Sequence, residues 1–133
     1  MCLEKIKRIY KRPKKMKFYK WFVPQSKDNL WSSFRNIAYD IGISHEAEGP
    51  DMIDAETDRG IITGQYPRGF HGFRTRADAR RWTKESFILN EERCYLCEGK
   101  VRTIGEQQDI EVLVADTMKI LHEVNVKKMR KKR

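Results

Sequence analysis

Cys94 and Cys97 stand in the Cys-x-x-Cys spacing, in which two thiolates can hold a zinc ion. A structural zinc site takes a second ligand pair, and Cys2 or His71 could serve in completing one. The flanking Tyr95, Leu96, Val101 and Ile104 have the composition of a strand, on which residues three apart point to opposite faces. The expectation is two buried or half-buried free thiols and no metal or other cofactor. A redox pair is disfavoured as well, because such a pair should open a helix that stabilises its thiolate. His71 lies in Gly69-Phe70-His71-Gly72-Phe73, where flanking glycines allow close approach and two phenyl rings could wall a pocket. The competing reading is a packed strand with a hydrogen-bonded histidine.

Cationic chemistry is more abundant. Lys11, Arg12, Lys14, Lys15, Lys17 and Lys20 interleave with Tyr10, Phe18, Tyr19 and Trp21. Such a mixture places phosphate-neutralising cations among rings that can stack on bases. Arg76, Arg80 and Lys84 follow at i, i+4 and i+8 of an expected helix, with Arg81 beside them. The candidate ligands of a nucleic acid or phosphorylated nucleotide are therefore Lys14, Lys15, Lys17, Tyr19, Trp21, His71, Arg74, Arg76, Arg80 and Lys84. A solvated helix face and an aromatic core are the plainer readings of the same residues.

The formal charge of +9 on 133 residues is unevenly spread. Met1–Lys20 carries +8 and Lys119–Arg133 carries +6, so the middle of the chain is acidic, at −5. Asp40, Glu46, Glu48, Asp51, Asp54, Glu56 and Asp58 form a run without a single Lys or Arg. With Gly42, Gly49 and Pro50 inside it, this run reads as a long solvated loop. The alternative is a surface presented to a basic partner, with Asp51, Asp54, Glu56 and Asp58 as its contacts.

The elements that must position these groups can be read only coarsely. Lys5–Lys15 is a short strand or an extended arm. Lys17–Val23 is a strand stopped by Pro24, and Leu30–Arg35 is its hairpin partner. Ile37–Ile43 is a weaker third strand. Gly60–Phe73 is turned backbone leading into a short strand. Thr75 caps a helix expected over Arg76 to Glu85, burying Ala79 and Trp82. Cys94–Thr103 and Ile110–Ala115 are strands joined by a turn at Gly105–Asp109, and Met118–Val124 closes the fold. The expected class is α+β: a mainly antiparallel, curled sheet with one short helix packed on it. The expected organisation is a basic N-terminal arm over 1–16, one domain over 17–124 and a flexible basic tail over 125–133.

Apolar residues make up 39% and charged residues 35% of the chain, enough for one core in a single domain. No apolar run approaches the ~18 residues of a membrane span. The N-terminus has no apolar segment behind its charges, and three cysteines make no disulfide framework. The expectation is a cytoplasmic protein with no membrane partner.

Two resemblances add to this. Gly69-Phe70-His71-Gly72-Phe73, then Ala77-Asp78-Ala79, Gly99-Lys100-Val101 and the strand Val112 to Ile120, resemble small, mostly uncharacterised bacteriophage and prophage proteins. The likeness covers the second half of the chain and implies a bacterial host cell and a counter-defence role. Gly105 to Glu111 resembles the catalytic turn of ADP-ribosyltransferases, which would imply an enzyme. Against that, no Gly-x-Gly-x-x-Gly, P-loop, His-Glu-x-x-His, Gly-x-Ser-x-Gly or acidic metal cluster occurs. The leading expectation is a non-catalytic, phage-derived protein that holds nucleic acid or a phosphorylated nucleotide. Its alternative is an inhibitor that sets the acidic segment against a host nucleic-acid-binding protein.

Overall fold

A computed structural model describes residues 3–32, 37–82 and 92–126. Ten strands and one helix follow in order: β1 (Lys5–Ser26), β2 (Asn29–Ser32), β3 (Ile37–Asp40), β4 (Ser44–Glu46), β5 (Met52–Glu56) and β6 (Ile62–Pro67). Then come β7 (Phe70–Phe73), α1 (Arg76–Trp82), β8 (Arg93–Gln107), β9 (Ile110–Ala115) and β10 (Thr117–Val124). Strands take up 69% of the described residues and helix 6%, so the class is nearly all-β and the α+β expectation is corrected. A two-turn helix cannot form a layer of its own; it plugs one spot on a sheet that otherwise covers itself. Among the described residues no helix is long and apolar enough to cross a membrane.

Two stretches account for much of the difference. Lys5–Lys15, expected as a short strand or an extended arm, is the first part of the 22-residue β1 and pairs antiparallel with β8. The acidic run from Asp40 to Asp58 holds β4, which pairs with β10, and β5, which forms a two-stranded hairpin with β6. The hairpins β1–β2 and β8–β9 and the strand β10 fall where local composition put them. Gln108 and Asp109, at φ of 50° and 61°, make the β8–β9 turn.

The sheet curls until it meets itself. Strand order β1–β7–β9–β8 closes through a further β1–β8 pairing, and β2–β3 and β10–β4 extend from this ring. The closing contact is short, with Tyr19 opposite Phe73. Gly72 explains how it is made: any Cβ there would strike the Phe18 ring. The glycine of the Gly-Phe-His-Gly-Phe string therefore serves strand closure.

Side-chain alternation then builds a core on each face. Phe18, Phe22, Leu30, Tyr39, Cys97, Val101, Leu113, Met118 and Ile120 fill one. Leu3, Ala55, Tyr66, Phe73, Ala79, Cys94, Val112 and Val114 fill the other, under α1 and the β5–β6 hairpin. Thr75 caps α1, its Oγ1 accepting the Asp78 amide at 3.1 Å. Ala79 is buried, while Trp82 is only half-buried, leaning on Phe73 with ring centroids 5.7 Å apart. The expected continuation of the helix to Glu85 lies outside the described residues.

Candidate nucleic-acid interface

Register decides which cations share a surface. Lys15 stands opposite Lys100, Lys17 opposite Glu98 and Tyr19 opposite Leu96 across β1 and β8. On the other side of β8, Lys119 stands opposite Glu98 and His122 opposite Leu96. Partners in an antiparallel pair project to the same face, so Lys15, Lys17, Lys100 and Lys119 lie together across three strands. Lys15, Lys17 and Lys100 are exposed and Lys119 is half-buried. None of the four is in an ion pair with a described carboxylate, although Glu98 sits between two of them. Toward α1 the same face carries Tyr19, with the Arg76 guanidinium 5.9 Å from its ring centroid.

Other cations are committed elsewhere. Lys7 reaches Glu106 at 2.8 Å and Glu111 at 3.6 Å, and Arg74 reaches Glu111 at 3.4 Å. That pairing holds the Lys7 ammonium above its ordinary pKa and the Glu106 carboxyl below its own, chiefly through the hydrogen bond between them. Arg68 pairs with Asp51 at 3.0 Å, Arg81 with Asp78 at 3.7 Å and Arg102 with Asp116 at 3.6 Å. Glu106 and Glu111, from the stretch resembling an ADP-ribosyltransferase turn, are cross-strand neighbours inside this ionic cluster.

Of the candidate ligands, Lys15, Lys17, Tyr19 and Arg76 come together, and Arg80 is exposed one turn along α1. Lys14 projects to the opposite face of β1, beside the Phe18 row. Trp21 shares the lysine face but lies against α1, its Nε1–H donating to the Ala79 carbonyl at 3.0 Å. Arg74 belongs to the Glu111 cluster. His71 is 5% exposed and meets the Tyr66 hydroxyl at 2.8 Å, inside the second core. Lys84 lies outside the described residues. Lys100 and Lys119 were not among the sequence candidates. Nothing local marks them, since only the β1–β8–β10 register brings them beside Lys15 and Lys17.

The rings do not form the stacking platform that the basic and aromatic interleaving suggested. Among the described residues no Phe, Tyr or Trp side chain is exposed; the exposed large apolar residues are Ile9, Ile43, Met52, Ile61 and Ile62. Phe18 is fully buried, and Tyr10 lies under the Arg8 guanidinium at 4.5 Å. The surface can therefore grip phosphates by charge, without rings offered to bases.

No family model, curated protein or solved structure matches the chain.

The cysteines follow strand alternation, Cys97 entering the first core and Cys94 the second. Burial pushes both thiols up to about 12, so they stay protonated. Among the described residues no three His, Cys, Asp or Glu side chains are grouped to hold a metal ion.

The acidic candidates gather on one hairpin. Asp54 accepts a hydrogen bond from the Gln65 amide at 2.9 Å, while Glu56 and Asp58 are exposed. Register puts Met52, Asp54, Glu56 and Ile62 on the outward face, since Ile53 and Ala55 turn inward. Asp51 is held by Arg68.

Proposed function

We propose that this chain is a non-catalytic, phage-derived protein of the bacterial cytoplasm that binds nucleic acid along its sugar–phosphate backbone. The observation that carries it is the face formed by Lys15, Lys17, Lys100 and Lys119, gathered from β1, β8 and β10 with no ion-pair partner among the described residues. Such ammonium groups on a regular surface release counterions when they meet phosphates, and that release drives sequence-independent binding. The open face favours a polymer over a single phosphorylated nucleotide, which would need an enclosing pocket with a ring against its base. The phage setting is supported only by the resemblance of the second half of the chain.

The test is a Lys15→Gln, Lys17→Gln, Lys100→Gln, Lys119→Gln variant, with duplex affinity followed by fluorescence anisotropy over a range of salt concentrations. For every phosphate that the variant no longer neutralises, the slope of log affinity against log salt should fall by about 0.9. Thermal unfolding should barely change, because these side chains support no core. Wild-type affinity and slope in the variant would overturn the reading.

A second reading is favoured by the β5–β6 hairpin. Its outward face mixes Asp54 and Glu56 with Met52 and Ile62, a combination suited to a basic protein surface with an apolar pocket. On this reading the chain inhibits a host nucleic-acid-binding protein.

A further inference from the structure

β1 and β8 lose register at two places, a one-residue bulge at Lys7 between Ile6 and Arg8 and a wider break between Ile9 and Lys14. Ile9 stands opposite Thr103 and Lys14 opposite Val101, so Tyr10, Lys11, Arg12 and Pro13 face Arg102 alone. Four residues against one force the backbone out of the sheet. Lys11, Arg12 and Pro13 are exposed. Tyr10 roots the bulge by packing against the first core, and Arg8 covers its ring. Pro13 stiffens the far side through its fixed φ. Past Lys14 lies Lys15, where the lysine face begins. The result is a short, anchored projection tipped by two cations and carrying no carboxylate.

We propose that this bulge is a groove finger: with the lysine face on the phosphates, Arg12 and Lys11 enter the minor groove of B-form DNA. The inference rests on the backbone-binding reading above. The minor groove, about 6 Å wide, admits side chains from a single strand, whereas the major groove, about 12 Å wide, is filled by a helix or two-stranded ribbon. A cationic tip gains most where the groove is narrow and its negative potential enhanced, which is at A·T-rich tracts. Duplex RNA presents a wide, shallow minor groove, and single strands call for a platform of exposed Phe, Tyr or Trp rings, none of which is exposed among the described residues.

The test compares four probes of equal length by anisotropy at one salt concentration: A-tract duplex DNA, G·C duplex DNA, duplex RNA and single-stranded oligothymidine. The A-tract duplex should bind about tenfold tighter than the G·C duplex. A Lys11→Ala, Arg12→Ala variant should fold normally and bind both DNA duplexes at the G·C level. A diamidine that fills A·T minor grooves should displace the wild-type protein and leave the variant's binding unchanged. Equal affinity for the two DNA duplexes, preference for G·C or single strands, or a preference that survives in the variant would overturn the finger while leaving the lysine face standing. Failure to bind any probe would overturn both.

Discussion

The Tyr66 hydroxyl holds two groups at once. It accepts the Leu3 amide at 3.1 Å and lies 2.8 Å from Nε2 of His71, whose ring meets the phenol edge-on. With Leu3 as donor, the phenol proton is available to an Nε2 lone pair of His71 and the phenol oxygen to an Nε2–H, so either tautomer of the ring completes the pair. Tyr66→Phe would strip both partners of a buried hydrogen bond, and should cost about 1–3 kcal/mol in chemical denaturation. His71→Ala removes a buried ring as well, and about 2–4 kcal/mol is expected. Trp82→Ala should cost less than its size suggests, because the indole is half-buried. The histidine string was legible as a special place, but strand burial decided its role, and burial depends on Tyr66 and Leu3. The thiols carry a pH prediction. Cys94 and Cys97 are pushed by burial up to about 12 from an ordinary 9.0, and Tyr95 is raised for the same reason. A raised folded-state pKa leaves stability intact below the unfolded value and removes it as pH climbs toward the folded one. Melting temperature should therefore fall between about pH 9 and 12, as the denatured thiols ionise. Iodoacetamide should leave Cys94 and Cys97 unlabelled in the native protein at pH 8 and label both in denaturant; native labelling would place the thiols at the surface.

Strand β8 is the element on which the others depend, bordered along one edge by β1 and along the other by β9 and then β10. The handover from β9 to β10 passes Gly99, where a Cβ would collide with the Thr117 carbonyl. Gly99→Ala must push β10 away from β8, and a loss of about 3 kcal/mol or more is expected. Gly42→Ala makes the contrast. Its φ of +82° disfavours a side chain, yet nothing lies within 4 Å, so about 1 kcal/mol is expected. Chemical denaturation of the two variants checks the order, and equal losses would mean that β10 yields freely. Legibility at this scale followed sequence distance. The β1–β2 and β8–β9 hairpins and the Thr75 cap are local, and the aromatic run, the turn and the capping residue each announced them. Residues 5–15 were legible as a short strand or an arm but not as a partner of β8, because the pairing, which starts at Lys5 opposite Glu106, joins residues far apart in the chain. Their exposed, charged composition is that of an arm, and only β8 beneath them makes them sheet. The lysine face was hidden for the same reason. Lys15 and Lys17 were visible as a basic run, but Lys100 and Lys119 join them only through a register that no local pattern encodes.

At the scale of the molecule the two proposals occupy different elements, the lysine face on β1, β8 and β10 and the acidic hairpin on β5 and β6. One substitution set therefore separates them. Asp54→Lys, Glu56→Lys and Asp58→Lys reverse three exposed charges, two units each, and raise the net charge from +9 to +15. Asp51 is left alone, because its 3.0 Å pairing with Arg68 ties the start of β5 to the end of β6. The inward-facing Ile53 and Ala55 are untouched, so the hairpin should keep its fold and its melting temperature. If the chain binds nucleic acid through its lysines, the variant repels phosphate less, associates faster and binds duplex DNA more tightly, most visibly at low salt. If the hairpin docks on a basic host protein, like charges now face each other across the contact and the complex should be lost. Anisotropy with duplex DNA and pull-down of a purified basic host protein thus respond to the same three residues with opposite signs. Tighter DNA binding with no protein partner in either form leaves the lysine face as the functional surface. Loss of a protein partner that the wild type retains assigns function to the hairpin.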